Sequence, residues 1–89
     1  LGEDESGRRL RTLLNEAGVN CEPLIMTSER RTLTKQRFLC DAKLCLRVDQ
    51  GSTSPLSGSI ARQLDAILRA SLHSYDLILL SDYGYGIIN

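Results

Sequence analysis

The chain has 89 residues, the size of one small domain or of a piece of one. A hydrophobic content of 42% with 25% charged residues is ordinary for a globular protein and argues against a disordered or fibrous chain. The 11 Lys and Arg residues balance the 11 Asp and Glu residues, so no overall field attracts nucleic acid or anionic lipid. Any electrostatic function must therefore be local.

Neither a membrane segment nor a disulfide framework is visible in the sequence. The longest unbroken apolar run, residues 77–80, is far shorter than the roughly 20 residues that span a bilayer, and no signal peptide opens the chain. We therefore expect a cytoplasmic protein with no membrane partner and no nucleic-acid partner. Cys21, Cys40 and Cys45 form neither a Cys-x-x-Cys pair nor an even set. We interpret them as reduced core residues rather than as metal ligands or redox groups.

Residues 5–17 are predicted to form a first amphipathic helix. The apolar residues of this segment follow the spacing of one helical face: Leu10, Leu13, Leu14 and Ala17. Asp4 or Ser6 can cap the start of the helix, and Gly18 suits the position after its end.

The alternating residue types of segment 32–49 predict a β-hairpin. A polar tip, residues 41–43, separates the two predicted strands, residues 34–40 and 44–49. A brief strand is also predicted before the hairpin, at residues 24–26.

A loop of three residues at the tip sets the expected pairing of this hairpin. The pairing places Phe38 opposite Leu46 and Arg37 opposite Arg47, so one face is mostly apolar. The other face carries the charged residues Lys35, Arg37, Arg47 and Asp49. A pairing slipped by one residue would place Phe38 beside Arg47, and we therefore prefer the three-residue loop.

A second helix and a buried strand are predicted after the hairpin. Residues 50–59 are rich in Gly and Ser and form a predicted loop, and the helix starts at Ser54-Pro55 or at Ser57. Its apolar residues again follow helical spacing: Ile60, Leu64, Ile67, Leu68 and Leu72. The apolar run of residues 77–80 is typical of a parallel strand covered on both faces. Because such a strand needs neighbours, and because the chain begins without Met, we expect a piece of a longer α/β protein.

The loop after this predicted strand is the first candidate site. Ligands of open α/β sheets gather at the carboxyl ends of the strands, which is where Asp82, Gly84 and Gly86 lie. A carboxylate there can hold Mg²⁺ or accept a sugar hydroxyl, and the glycines let the backbone approach a ligand. An equally good interpretation is that Asp82 stabilises a turn while the glycines only satisfy the backbone angles.

The charged face of the hairpin is the second candidate site. Like charges directly opposite each other, as predicted for Arg37 and Arg47, are destabilising unless a carboxylate or a bound anion lies between them. Guanidinium pairs match the geometry of phosphate. The alternative is a solvated face on which both side chains extend into water. Lys35 opposite Asp49 is interpreted as a cross-strand ion pair.

Four blocks of residues occur in the order and at the spacing of a known family. They are GEDESGR (2–8) with EAGV (16–19), similar to GDDEAGR and EEAGV; RRTLTKQR (30–37), similar to RPTTTKTR; LRVD (46–49); and YDLILLSDYGYG (75–86), similar to YDLVLLSDYGKG. The chain thereby resembles the sugar-kinase domain of bacterial D-glycero-β-D-manno-heptose 7-phosphate kinases. These are PfkB-type, ribokinase-like carbohydrate kinases, often fused to an adenylyltransferase in lipopolysaccharide heptose biosynthesis.

The resemblance implies a three-layer αβα fold with a β-hairpin, of which residues 1–89 are an internal part. It implies transfer of the γ-phosphate of ATP to a sugar-phosphate hydroxyl, with Mg²⁺ bridging phosphate oxygens. A homodimer of the parent protein is compatible with it. By position, the resemblance assigns Lys35, Arg37 and Arg47 to the sugar-phosphate side. It assigns Asp82, Gly84 and Gly86 to the nucleotide or Mg²⁺ side.

Two parts of the family pattern do not occur in this sequence. They are the glycine-rich sugar-binding segment and the GAGD motif, which supplies the catalytic base and the anion hole. The general base is therefore expected outside this chain, and the chain alone is expected to be inactive. Within the matching blocks, Tyr85 replaces a lysine of the family. A non-catalytic sugar-phosphate-binding relative and an inactive truncated fragment remain as alternatives.

Overall fold

The computed structural model describes residues 1–88 and divides the chain into two compact units. The first unit spans Leu1–Ser52, and the second unit begins at Thr53. The elements, in chain order, are α1 (Glu5–Glu16), β1 (Thr34–Cys40), β2 (Lys43–Gln50), α2 (Gly58–Ser71) and a 3₁₀ turn (Leu72–Ser74). Two helices and a two-stranded antiparallel sheet agree with the predicted α/β class at this level of detail.

Helix α1 begins and ends where the sequence predicts. The Oδ1 atom of Asp4 accepts a hydrogen bond of 2.8 Å from the backbone N–H of Gly7, which caps the first turn. At the other end, Gly18 adopts a φ of 80°, and its N–H donates to the carbonyl of Asn15 at 3.0 Å. A residue without Cβ takes up this left-handed conformation at little cost, so Gly18 ends the helix.

The brief strand predicted at residues 24–26 is wrong. In its place, one parallel bridge joins Gly2 to Thr27. The N–H of Glu3 donates to the Thr27 carbonyl at 2.9 Å, and the N–H of Thr27 donates to the Leu1 carbonyl at 3.0 Å. Pairing stops at one bridge because the partner segment turns into helix α1 directly after Asp4.

The hairpin has the predicted pairing along most of its length, but the predicted loop of three residues is wrong. Cys40 pairs with Lys43, so only Asp41 and Ala42 form the turn. Both turn residues are left-handed, with φ of 49° and 63°, as in a type I′ turn. This short turn is favoured because its twist matches the twist of the strands it joins.

A bulge restores the predicted register behind the turn. Leu39 pairs with Leu44 while Phe38 pairs with Leu46, which leaves Cys45 as the extra residue of β2. From that point the strands follow the predicted pairing, with Arg37 opposite Arg47 and Lys35 opposite Asp49. The bulge therefore absorbs the residue that the prediction had placed in the loop.

The interpretation of Cys40 and Cys45 as reduced core residues is wrong, because the two residues are exposed and form a disulfide. The short turn and the bulge bring their Cα atoms to 5.9 Å, within the range that a disulfide spans. The third cysteine, Cys21, is buried with a free thiol, as predicted.

The helices bury less apolar surface than their periodicity predicts. Among residues 1–88, the buried hydrophobic residues are Cys21 in the first unit and Ile60 in the second unit, with 7% and 6% of their surface exposed. Leucines expected in the core are partly open to solvent: Leu10, Leu13, Leu68 and Leu72. A helix with a half-exposed apolar face takes little of its stability from packing.

In the second unit, helix α2 forms as predicted and the buried strand does not. The Oγ atom of Ser57 accepts from the Ile60 N–H at 3.4 Å, which confirms Ser57 as the start. Residues 77–80 form no strand, and the side chains of Leu77 and Leu79 are 84% and 86% exposed. A parallel strand forms only against neighbouring strands, and the two strands of the described chain pair with each other.

Candidate functional site

The start of helix α1 is tied to a distant part of the first unit by one carboxylate. The Oδ1 atom of Asp4 caps Gly7, while Oδ2 accepts from the backbone N–H of Thr32 at 2.8 Å, across 28 residues of chain. The Oγ1 atom of Thr32 in turn accepts from the N–H of Gly2 at 2.9 Å. We call these four residues, Gly2, Asp4, Gly7 and Thr32, the Asp4 junction.

Hydrogen bonding fixes the protonation state of this carboxylate. The backbone N–H of Thr32, then its hydroxyl and then the N–H of Gly7 lower the pKa of Asp4 to about 2. Asp4 is therefore ionised at neutral pH, with both oxygens accepting hydrogen bonds. These properties suit an anchor and not a general acid or base.

A polar cleft of about 300 Å³ opens beside the junction, in the first unit. Besides Asp4, Thr32 and Gly51, its walls contain Glu5, Ser6, Arg31, Thr34 and Gln50. Sequence reasoning missed this cleft, because it treated residues 2–7 only as a helix start and did not link them to Thr32. The Gly-x-Asp-x-x-Gly spacing is the signal that was available, since both glycines are buried in the junction.

The charged face of the hairpin is formed as predicted. Arg37 and Arg47 are directly opposite in the ladder and therefore share a face. The Nε atom of Arg47 lies 3.1 Å from Oδ1 of Asp49, and both side chains are about half exposed, at 48% and 42%. No carboxylate of residues 1–88 lies within ion-pair distance of the Arg37 guanidinium. The face therefore has one arginine partly neutralised and one exposed guanidinium without a carboxylate.

The other predicted site, the loop that contains Asp82, lies in the second unit. The Oδ1 atom of Asp82 accepts from the N–H of Gly84 at 2.9 Å, which is the turn-stabilising contact weighed in the sequence. Gly84 and Gly86 have φ of 74° and 86°. A Cβ on Gly86 would overlap the carbonyl oxygen of Ser54, so only glycine fits there. The predicted residues thus form two groups, one on the hairpin and one in this loop.

The described residues offer no ready-made metal centre and no membrane span. Within residues 1–88, no group of three or more His, Cys, Asp or Glu side chains could hold a metal ion. No helix of this part of the chain has the length and apolarity to cross a bilayer.

Comparison with known proteins finds relatives along the whole chain. It is 35% identical over 88 residues to the "Bifunctional protein HldE" of Trichlorobacter lovleyi, covering 99% of this chain and 18% of that protein. It is 42% identical over 91 residues to the protein of the same name from Nitrobacter hamburgensis, covering 98% of this chain and 18% of the relative. The Wolinella succinogenes relative is 34% identical over 88 residues, which is 19% of its length.

The similarity covers only a short segment of each relative. No family model matches the chain, and no solved structure does. The chain spans less than a fifth of the length of these curated relatives. It is therefore similar, along nearly all of its own length, to one segment of the bifunctional HldE proteins.

Proposed function

We propose that this chain is part of a PfkB-type, ribokinase-like sugar kinase that transfers the γ-phosphate of ATP to a hydroxyl of a heptose 7-phosphate-like sugar. The observation that carries the proposal is the similarity over 98–99% of the chain to proteins named bifunctional HldE. The four sequence blocks shared with heptose 7-phosphate kinases support the same assignment. The pathway expected for such a protein is the synthesis of lipopolysaccharide heptose.

The charged hairpin face is the part of this chain that we assign to the sugar phosphate. Arg37 and Arg47 carry two guanidinium groups on one face, and Lys35 adds an ammonium group on the same side. A phosphate between the arginines would offset the repulsion of like charges and accept charge-assisted hydrogen bonds from both. Because Asp49 already holds Arg47 at 3.1 Å, Arg37 is the stronger candidate for phosphate contact.

The nucleotide side is assigned to the loop of Asp82, Gly84 and Gly86. Gly84 leaves room for a ligand to approach the backbone closely, since nothing lies within 4 Å of a Cβ built there, while Gly86 packs against the carbonyl of Ser54 and shapes the loop. One carboxylate does not make a Mg²⁺ site by itself, and one oxygen of Asp82 already accepts from Gly84. We therefore place no catalytic step on this loop. Its part in the proposal is contact with ATP, and Mg²⁺ would need oxygens from ATP or from other residues.

The test uses the complete protein that contains this chain, with ATP and heptose 7-phosphate as substrates. We expect transfer of labelled γ-phosphate to the sugar and a higher sugar-phosphate KM in the Arg37→Ala and Arg47→Ala variants. Loss of a charge-assisted hydrogen bond costs about 1.5–3 kcal/mol, which corresponds to a rise in KM of roughly tenfold to 150-fold. The KM for ATP should stay the same.

Arg69→Ala is the matched control, because it removes an exposed arginine that pairs with Asp65 on helix α2 at 2.8 Å. This variant should leave both KM values unchanged. An unchanged sugar-phosphate KM in both hairpin variants would reject the assignment of this face. Saturable binding of the sugar phosphate without any phosphate transfer would reject the kinase and favour a non-catalytic binding relative.

A further inference from the structure

The tip of the hairpin combines a disulfide, a two-residue turn and a bulge within six residues. Cys40 is the last residue of β1, and Cys45 is the bulged residue of β2. Both cysteines are exposed, and their disulfide closes the turn formed by Asp41 and Ala42. An exposed disulfide is open to exchange with small thiols, unlike one enclosed in a core.

We propose that Cys40 and Cys45 form a reversible thiol–disulfide switch that fixes the register of the hairpin. The bulge decides which residues are opposite each other. If the pairing of Cys40 with Lys43 continued without a bulge, Arg37 would lie opposite Leu46 instead of Arg47. The disulfide ties the bulged residue to the end of β1, so the oxidised form holds the arginines on one face. In the reduced form, side-chain packing alone would determine which residues of β1 and β2 lie opposite each other.

Side-chain packing is weak here, which makes the covalent link matter. Phe38 and Leu46, the apolar pair next to the bulge, are 45% and 56% exposed, and Leu39 and Leu44 are more exposed still. A strand pair without a buried face specifies its register poorly and slips more easily. An isolated two-stranded hairpin is also only marginally stable in water.

The switching chemistry is thiol–disulfide exchange with a small disulfide such as oxidised glutathione. The thiolate of one cysteine attacks a sulfur of that disulfide and releases one glutathione thiol. The second thiolate then attacks the mixed disulfide, forms the Cys40–Cys45 bond and releases the second thiol. The protein loses two electrons and two protons, and the small disulfide gains them. Excess reduced glutathione reverses both steps.

The first measurement asks whether this bond forms and reverses. The 89-residue chain is equilibrated at graded ratios of oxidised to reduced glutathione, alkylated, denatured and cut with trypsin. Cleavage after Arg37, Lys43 and Arg47 separates the two cysteines, so only the disulfide keeps peptides 38–43 and 44–47 together. We expect this joined pair to rise and fall reversibly with the ratio. Cys40→Ser should abolish it, and the control Cys21→Ala should retain it.

The second measurement asks whether the bond acts on the hairpin. Amide hydrogen exchange in β1 and β2 should be slower in the oxidised chain by on the order of tenfold, because the link restricts the open state of the turn. Exchange in helix α2 should not change. Cysteines that are alkylated at every ratio, or that link two chains instead, would overturn the proposal. Equal exchange in the oxidised and reduced hairpins would overturn it as well. None of these readouts depends on kinase activity.

Discussion

The Gly7→Ala substitution separates helix propensity from packing at the Asp4 junction. Gly7 lies in the first turn of helix α1, and alanine in place of glycine favours an isolated helix by about 1 kcal/mol. In the structure, a Cβ on Gly7 would overlap the carbonyl oxygen of Gly2 and lie 2.8 Å from Oγ1 of Thr32. The two arguments predict opposite signs for the change in stability.

We expect packing to dominate. The atoms that a new methyl group would meet are a backbone carbonyl and a buried hydroxyl that already accepts from Gly2, so neither can move without breaking the junction. Overpacking of a tight site costs about 3 kcal/mol at the upper end of its usual range. Subtracting the gain of about 1 kcal/mol in helix propensity leaves a destabilisation of about 2 kcal/mol.

The assay is amide hydrogen exchange of helix α1, followed by mass spectrometry. A loss of about 2 kcal/mol corresponds to exchange roughly 30-fold faster. Gly58→Ala is the matched control in the first turn of helix α2, where a Cβ would lie 3.2 Å from Nη1 of Arg62, the end of a flexible side chain. Exchange of helix α2 should be unchanged or slower in this variant. If exchange of α1 became slower in Gly7→Ala, the junction would not be packed as described.

Three further outcomes are expected. The pKa of Asp4 is about 2, below its usual value of 3.8, so the stability that the carboxylate contributes is complete above about pH 4 and is lost as pH falls through 2. Helix content measured by circular dichroism should therefore fall less over this pH range in Asp4→Asn than in the unsubstituted chain. Ile60→Ala should destabilise the second unit by about 2–3 kcal/mol in guanidinium unfolding, against less than about 1 kcal/mol for half-exposed Leu72→Ala. Asp49→Asn should release Arg47 and lower the sugar-phosphate KM of the complete protein severalfold.

Local features of the chain were predictable, and features that depend on distant partners were not. Both helices and their caps follow from short-range rules, and Asp4, Gly18 and Ser57 act where those rules place them. The strand at residues 77–80 failed because an apolar run indicates burial only when other strands are present to cover it. The bond between Asp4 and Thr32 also escaped prediction, since the Gly-x-Asp-x-x-Gly spacing marks only one side of it and does not identify a partner 28 residues away.

The hairpin contains both a feature that was predictable from the sequence and one that was not. Alternation of side chains predicted that Arg37 would be opposite Arg47, because one slipped residue would mix charged and apolar faces. The alternation of side chains does not determine how many residues form the turn. A bulge can add one residue to a strand while the residues further from the turn keep the same faces. The pairing of Cys40 with Cys45 depends on that bulge, so the reduced interpretation failed together with the loop length.

The base of the hairpin adds a final test of the anion site, at a residue that does not touch it. Thr32 precedes β1 and is held by Asp4, while Ser52, after β2, donates its N–H to the carbonyl of Arg31 at 3.2 Å. These two hydrogen bonds fix the segments that lie just before β1 and just after β2. The hydroxyl of Thr32 also accepts from the Gly2 N–H at 2.9 Å, and Thr32→Val removes this bond. The substitution should raise the sugar-phosphate KM of the complete protein severalfold, because the base of the hairpin is then held less firmly. Thr32→Ser keeps the hydroxyl and should restore the KM. Equal effects of both variants would indicate that the hydroxyl does not position the hairpin.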